Sequence, residues 1–276
     1  MKLAILLICG LQLSTGCGLN SPAPKPQQVR QVAEDVTIEG LPVGNLTAEE
    51  AGRVLNNLAE VKDVPAVNAG YDPVGGQVVP ERPGQRINVP DTLSALLAAP
   101  AGSSIKPVYQ PFRPEITRDI LLKSHRLGSF TTPILDRSPG RTVNIRLTAK
   151  LTNNSLIAPG QEFSFNNATG EPTSARGFQK AAVFGDNGEK EEGLGGGMCQ
   201  VSSTLYNAVL AAGLNVTERH PHSQPVNYVA PGKDATTYTD KDFRFVNNTR
   251  RRIITRIFTD GADTELTAEL WALPDE

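Results

Sequence analysis

The sequence has few cysteines, few aromatic residues and no excess of charge of either sign. Aromatic residues make up 5% of its 276 residues, and 27 basic residues stand against 29 acidic ones, which gives a formal net charge of -2. This near balance gives no reason to expect a nucleic-acid partner. The chain can still bury a core, since 39% of it is hydrophobic. Its length suits one large domain or two small ones.

The first residues do not contain a hydrophobic run long enough to span a membrane. Lys2 is followed by a mostly apolar stretch from Leu3 to Leu13, whereas a spanning helix needs about 20 apolar residues. A short positive start, a short apolar core and small residues before Cys17 are typical of a secretory signal. The small residue before Cys17 resembles a bacterial lipoprotein cleavage site, so we expect a lipoprotein-type signal over residues 1–17 with lipid on Cys17. Ordinary cleavage and release of a soluble protein is the alternative.

Residues 18–34 are rich in proline and polar side chains. Such a composition favours an extended tether that holds a folded part away from a membrane. The sequence therefore predicts an extracytoplasmic protein of a bacterial cell envelope, anchored in the membrane by its N-terminal lipid. It leaves the oligomeric state open.

Cysteine is so scarce that a disulfide can be excluded. Of the three cysteines, Cys9 would leave with the signal and Cys17 would carry the lipid, so only Cys199 remains. A single thiol cannot form an internal disulfide. Cys199 is therefore either buried and inert or accessible and reactive.

Residues 35–115 have the pattern of a small α+β module. We predict one helix from Ala48 to about Leu58, another from Thr92 to Ala99, and a short strand over residues 106–109. Two strands are predicted between Val64 and Val79. The stretches Ile38-Glu-Gly-Leu, Leu46-Thr-Ala-Glu-Glu-Ala and Val78-Val-Pro-Glu-Arg-Pro-Gly resemble a module of bacterial wall proteins that is named a peptidoglycan-binding domain. A plain spacer domain is the alternative.

Residues 116–130 are predicted to be a linker, with a short helix from Ile116 to Leu127 that would include His125. Residues 131–276 change to strands, glycine-rich loops and one strong helix. The expected fold class is α+β: a small N-terminal α+β module followed by a mostly β domain packed around one central helix.

The strong helix opens at Cys199. Its apolar residues follow the spacing i, i+4, i+7, i+8 and i+11 from Val201 to Ala212, and Gly213 supplies a stop. Cys199 falls roughly 135° from the centre of this apolar face, so its sulfur should point away from the core. A first-turn cysteine also lies at the positive end of the helix dipole, which favours the nucleophilic thiolate.

Three consecutive glycines precede the helix. Residues 195–197 let the backbone approach a ligand closely, and the N–H groups of Gly196 and Gly197 could bind a developing oxyanion. A flexible loop is the alternative. A phosphate-binding loop is not expected, because no Gly-Lys-Ser/Thr sequence follows.

A thiolate nucleophile needs a base, and two histidines follow the helix. His220 or His222 could reach Cys199 after a chain reversal, and Asp234 or Asp242 could orient the imidazole. We favour His222, because Pro221 and Ser223 flank it and fix its direction. A zinc site made of Cys199 and both histidines is the non-catalytic alternative, although a lone cysteine makes it weak.

Several motifs occur in an order that resembles the VanW family. They are Arg141-Thr-Val-Asn-Ile, Pro159-Gly-Gln-Glu-Phe-Ser-Phe-Asn, Gly195-Gly-Gly-Met-Cys-Gln-Val-Ser-Ser, Glu218-Arg-His-Pro-His-Ser, Tyr228-Val-Ala-Pro-Gly-Lys-Asp-Ala and Asp242-Phe-Arg-Phe-Val-Asn-Asn. The resemblance covers residues 118–272. It departs from the family pattern at Lys233, where Arg is common, and at Ala230, where Pro is common.

The resemblance implies a cell-wall enzyme. Some members with this domain are L,D-transpeptidases that form 3-3 cross-links in peptidoglycan, and Cys199 matches their nucleophile. The expected substrates are peptidoglycan stem peptides, with an acyl-enzyme on Cys199 that an amine or water releases and with no cofactor or metal. Arg141 and Arg219 could hold a substrate carboxylate. Asn144, Ser164, Asn166 and Gln200 are further candidates for substrate binding, although turn-forming and structural roles are as common for such residues.

Two other functions fit the same sequence. A cysteine amidase or peptidase would use water as the acyl acceptor. A non-catalytic, lipid-anchored peptidoglycan-binding or accessory protein linked to glycopeptide resistance would need no reactive thiol.

Overall fold

A computed structural model describes residues 30–184 and 189–275. The predicted signal with Cys9 and Cys17, and most of the predicted tether, lie outside the described residues. The described chain forms two compact units. The first comprises residues 30–58 and 88–108, and the second comprises residues 59–87 and 109–275.

The described residues contain both helices and short strands in each unit. The helices are α1 (Ala48–Lys62), α2 (Val89–Ala98), α3 (Arg118–Lys123), α4 (Pro139–Thr152), α5 (Phe165–Thr169) and α6 (Met198–Ala211). The strands are β1 (Thr37–Ile38), β2 (Leu41–Pro42), β3 (Gly70–Tyr71), β4 (Val78–Val79), β5 (Gly84–Ile87), β6 (Ser104–Ile105), β7 (Tyr109–Phe112), β8 (His125–Pro133), β9 (Leu156–Ile157), β10 (Glu162–Ser164), β11 (Lys180–Phe184), β12 (Lys190–Leu194), β13 (Asn215–Glu218), β14 (Arg244–Val246), β15 (Ile253–Thr259) and β16 (Glu265–Ala272). This composition confirms the predicted α+β class. None of the helices in residues 30–184 and 189–275 is both long and apolar enough to span a bilayer.

The first unit is a small α+β arrangement. Strand β1 pairs antiparallel with β2 and parallel with β6, and Ile38 and Leu96 are fully buried. Helix α1 begins at Ala48 as predicted but runs four residues further, to Lys62, and α2 begins three residues earlier than predicted, at Val89. The strand predicted over residues 106–109 is wrong, because β6 ends at Ile105 and β7 begins at Tyr109. Pro107 lies between them and has no N–H to donate to a ladder. A peptidoglycan-binding role for the N-terminal module stays a prediction.

An antiparallel sheet forms the centre of the second unit. Its strand order is β8-β16-β15-β9, and α6 packs on β8 and β16. Gly128 in β8 makes this close packing possible, since an added Cβ would lie 2.4 Å from the backbone nitrogen of Ala212. Helix α4 packs against both α6 and β15. A second sheet, β10-β14-β13, contributes Phe163 and Phe245 to the same core.

The segment predicted as a linker contributes a central strand. The predicted helix over residues 116–127 is wrong beyond Lys123, because β8 begins at His125 and pairs along its length with β16. Non-local pairing prevails here over local helix propensity. The predicted domain boundaries stay predictions, while the packing places residues 59–87 and 109–130 in the second unit.

Helix α6 begins and ends close to the predicted positions. It starts at Met198, one residue earlier than expected, and Gly213 follows it with a φ of 68°. The N–H groups of Gly213 and Leu214 donate to Leu210 and Val209, which is the hydrogen-bond pattern of a Schellman stop. Helix α4 is an additional long helix beside the one that the sequence predicted. Pro139 opens it at a position where proline is favoured.

Candidate active site

A cleft of about 890 Å³ opens in the second unit over the start of α6. Cys199 and His222 line it together with the glycine loop, which we define as residues 195–197. The hairpin formed by β11 and β12 contributes one wall, and residues 225–228 and 236–239 contribute another. A cleft of this size can bury a peptide-sized ligand.

Cys199 is half-buried in the first turn of α6, while its neighbours Met198 and Gln200 are buried. Its sulfur lies 3.6 Å from the hydroxyl of Thr236 and 3.6 Å from the carbonyl oxygen of Thr237. The helical phase therefore turns the sulfur towards the cleft and away from the core stripe of α6.

A chain reversal brings the histidine segment back onto the residues near 234. The backbone N–H of Thr236 donates to the carbonyl oxygen of His220 across an antiparallel bridge. In such a pairing the next matched residues are 222 and 234. Accordingly, the Nδ1 of His222 lies 2.7 Å from Oδ2 of Asp234, and the backbone N–H of His222 donates to the same oxygen at 2.6 Å.

The histidine links this carboxylate to the thiol. Its side chain is only 7% exposed and hydrogen-bonds the Cys199 sulfur. Because Asp234 occupies Nδ1, Nε2 is the ring nitrogen that remains for the sulfur. Cys199, His222 and Asp234 thus form a line of nucleophile, base and orienting carboxylate.

Arg219 completes the support of this line. Its Nη2 lies 2.8 Å from Oδ1 of Asp234, and its Nε donates to the Asp234 carbonyl oxygen at 2.6 Å. The guanidinium also lies over the ring of Tyr206. These contacts hold the carboxylate in place and leave Arg219 outside the residues that line the cleft.

The electrostatics of the site favour an ionised sulfur. Burial raises the pKa of the Cys199 thiol, but the hydrogen bond and charge of His222, together with hydrogen bonds from residues 236 and 237, lower it from 9.0 to about 7. Burial likewise lowers the pKa of His222, while Cys199 and Asp234 outweigh this effect and raise it. The two shifts together favour a thiolate beside an imidazolium.

The glycine loop packs closely against β11 and has a backbone conformation that favours glycine. A Cβ on Gly196 would lie 2.6 Å from the carbonyl oxygen of Ala182, and Gly197 has a φ of 112°. Both residues line the cleft. Within the described ranges the N–H groups of Gly196 and Gly197 have no hydrogen-bond partner, so they are available to a bound oxyanion.

The candidates for substrate binding on α4 and α6 differ in accessibility. Arg141 lines the cleft and donates from Nη2 to Gln200 at 2.9 Å, and its buried Nε has no partner among the described residues. Gln200 is buried and also donates to Thr132 and to the carbonyl oxygen of Pro133. Asn144 is fully buried and hydrogen-bonds backbone groups, so it does not face a ligand.

The remaining candidates surround Asp242. Ser164 is buried and donates to this carboxylate at 2.5 Å. Asn166 donates from its backbone to Asp242 and from its side chain to the carbonyl oxygens of Tyr238 and Lys241, while it lines the cleft. Asp242 thus hydrogen-bonds Ser164 and Asn166 and not His222. Of the two carboxylates that the sequence left open, Asp234 is therefore the one that orients the imidazole.

His220 is not among the residues that line the cleft with the thiol. Its Nε2 lies 2.9 Å from Glu218, and both side chains are about one third exposed. The zinc site of Cys199, His220 and His222 that the sequence left open is therefore not assembled. In the described ranges no three His, Cys, Asp or Glu side chains converge on a metal position.

The sequence reasoning missed three residues of the site. Thr236 and Thr237 contact the sulfur, and Tyr228 lines the cleft and hydrogen-bonds Ser203. Burial and the nearby Cys199 charge raise the pKa of Tyr228, so it stays protonated. The sequence held a signal for each, since Tyr228 opens one of the motifs that resemble the VanW family, and the two threonines directly follow Asp234-Ala235.

The fold and the site define an α+β protein with a Cys-His-Asp arrangement at the floor of a cleft. Residues 140–271 match the family model described as VanW like protein. These residues therefore carry a VanW-like domain.

Two curated proteins are similar to the chain. One is an uncharacterized protein, YoaR, of Bacillus subtilis (strain 168), with 34% identity over 198 residues, 70% of this chain and 65% of that protein. The other is the vancomycin B-type resistance protein VanW of Enterococcus faecalis (strain ATCC 700802 / V583), with 31% identity over 101 residues, 35% of this chain and 36% of that protein. The chain thus spans less than two thirds of each relative. No solved structure matches the chain.

Proposed function

We propose that the protein is a cysteine-dependent acyltransferase that acts on peptidoglycan stem peptides as an L,D-transpeptidase. One observation carries this proposal: Cys199, His222 and Asp234 form a connected line in a cleft, beside two glycine amides that have no partner in the described part of the chain. Acyl transfer requires a nucleophile, a base and an oxyanion site, and each has a candidate here. The resemblance to family members that form 3-3 cross-links supports the choice of substrate.

In the first half-reaction the Cys199 thiolate attacks a peptide carbonyl carbon of a stem tetrapeptide. A C–S bond forms, and the carbonyl electron pair moves to the oxygen, which the N–H groups of Gly196 and Gly197 stabilise. When this intermediate collapses, the C–N bond to the terminal residue breaks. The departing amine takes a proton from the His222 imidazolium, and a thioester remains on Cys199.

In the second half-reaction an amine of another stem peptide attacks the thioester. It gives a proton to His222, the new C–N bond forms, and the C–S bond breaks to restore the thiolate. Asp234 keeps the ring of His222 in one orientation through both steps. Arg141, whose guanidinium lines the cleft, is placed to bind a substrate carboxylate.

The protein would work outside the cytoplasm of a bacterial cell, anchored in the membrane through a lipid on Cys17. This placement follows from the signal-like residues 1–17 and the proline-rich residues 18–34. It would bring the cleft to its polymer substrate.

The direct test uses purified protein and disaccharide tetrapeptides. We expect mass spectrometry to find a cross-linked dimer with the wild type and none with Cys199→Ala. His220→Gln is the matched control and should retain activity, because His220 pairs with Glu218 away from the sulfur. A trimmed monomer without dimer would instead identify an amidase or peptidase. Identical products from wild type and Cys199→Ala would refute catalysis on this substrate and favour a binding or accessory protein.

A further inference from the structure

Asn144 lies outside the cleft but is fully buried beneath the glycine loop. Its Nδ2 donates to the carbonyl oxygen of Gly196 at 3.0 Å and to that of Gln179 at 2.9 Å. Its Oδ1 accepts the backbone N–H of Gln179 at 2.8 Å. One amide from α4 thus joins Gln179, the residue before β11, to the loop in front of the nucleophile.

The hydrogen bond to Gly196 also fixes a direction. A trans peptide unit is planar, and its C=O and N–H groups point to opposite sides. The carbonyl of Gly196 points to Asn144, so the N–H of Gly197 in the same peptide unit points away from Asn144. That N–H has no partner in the described ranges, and Gly197 lines the cleft together with Cys199.

We propose that Asn144 is a positioning residue, whose buried amide aims the N–H of Gly197 at the oxygen that becomes negative when Cys199 attacks a carbonyl. The inference rests on the proposed function. Without the amide, the carbonyl of Gly196 loses the side-chain donor that it has in the described part of the chain, and the peptide unit is free to turn. Asn144 does not touch Cys199 or His222, so the thiolate itself should be unaffected.

The test compares two reactions of one thiol. Alkylation by iodoacetamide displaces iodide from a saturated carbon and creates no oxyanion. Acylation by p-nitrophenyl acetate forms the thioester, releases p-nitrophenolate and passes through an oxyanion. Both rates are followed at the peptide that contains Cys199 in wild type, Asn144→Ala and Asn144→Asp.

We expect the alkylation rate of the Asn144 variants to stay within about twofold of wild type and the acylation rate to fall about 10- to 100-fold, somewhat less than the loss of a whole oxyanion donor. Asn144→Asp keeps an oxygen that accepts the N–H of Gln179 but removes the amide group that donates to Gly196. This variant is therefore the one to measure if Asn144→Ala does not fold. Thr148→Val is the control, since Thr148 is buried one turn further along α4 and its hydroxyl has no partner among the described residues. It should change neither rate.

Each other outcome is decisive. If both rates fall together, if neither falls, or if neither variant folds, Asn144 is a structural residue and the inference is overturned. If wild-type Cys199 is alkylated but never acylated, the proposed function itself fails, and the positioning role fails with it.

Discussion

Replacing His222 tests how far the imidazole activates the sulfur. His222→Gln removes the hydrogen bond and the charge that do most to lower the pKa of Cys199 to about 7, while the burial that raises it and the smaller effects of residues 236 and 237 remain. The thiol of the variant should therefore titrate well above 7, near its ordinary value. His220→Gln changes the same residue type two positions away and should leave the titration unaltered, because His220 pairs with Glu218.

The magnitude follows from two opposing effects. At pH 6, about 9% of a thiol with a pKa near 7 is ionised, against about 0.1% of a thiol with a pKa near 9, a loss of roughly 90-fold. The thiolate of the variant is, however, the better nucleophile, because nucleophilicity rises with pKa with a Brønsted coefficient of about 0.4–0.5. Over about two pKa units this makes each ionised thiol roughly 6- to 10-fold more reactive. The net expectation is a rate about tenfold lower, or lower still if burial raises the pKa of the variant further.

The assay is iodoacetamide alkylation between pH 5 and 10, followed by mass spectrometry at the peptide that contains Cys199, which distinguishes it from Cys9 and Cys17. The wild-type rate should rise with pH and level off above about 7, since only the thiolate reacts. The alkylation rate of His222→Gln should be lower than the wild-type rate at low pH. It should keep rising after the wild-type rate has levelled off, and exceed it at high pH. Superimposable profiles, or a wild-type midpoint near 9, would refute the activation of Cys199 by His222.

Two further predictions concern the neighbours of this pair and the N-terminus. Asp234→Asn keeps the size of the side chain but removes the charge that helps to raise the pKa of His222, so the alkylation midpoint of Cys199 should move upwards, by less than in His222→Gln; an unchanged midpoint would contradict the role of Asp234. Cys17→Ala should move the protein from the membrane fraction to the soluble fraction of bacterial cells and abolish incorporation of a labelled fatty acid. Labelling that persists in this variant would place any lipid elsewhere.

The nucleophile could be found from the sequence because its signals are local. The apolar spacing of α6 turns Cys199 off the core, and Gly195–Gly197 precede it directly. The helix stop at Gly213 is equally local, since it depends on one residue with a positive φ. The choice between Asp234 and Asp242 is not local. It depends on the antiparallel match of residues 220 and 236, which no spacing in the sequence specifies.

Helix α4 escaped prediction for a different reason. Three of its buried positions, Asn144, Thr148 and Thr152, are polar and follow one another at intervals of four. Hydrophobic periodicity therefore gives no clear stripe over this segment. Asn144 is buried because it binds the backbone beneath the glycine loop, and Thr152 donates to the carbonyl oxygen of Thr148. The buried polar residues of α4 thus weaken the hydrophobic pattern by which this helix could have been predicted.

The carboxylate, the imidazole and the sulfur come from positions 234, 222 and 199, and contacts across the second unit hold them together. Before those contacts form, the thiol keeps its ordinary pKa near 9, and at neutral pH about 1% of it is ionised. In the finished unit, with a pKa of about 7, about half of it is ionised. The thiol of a newly made chain is therefore mostly protonated, and it becomes largely ionised only when folding is complete. Unfolded copies should accordingly react more slowly with electrophiles and oxidants than the folded protein does.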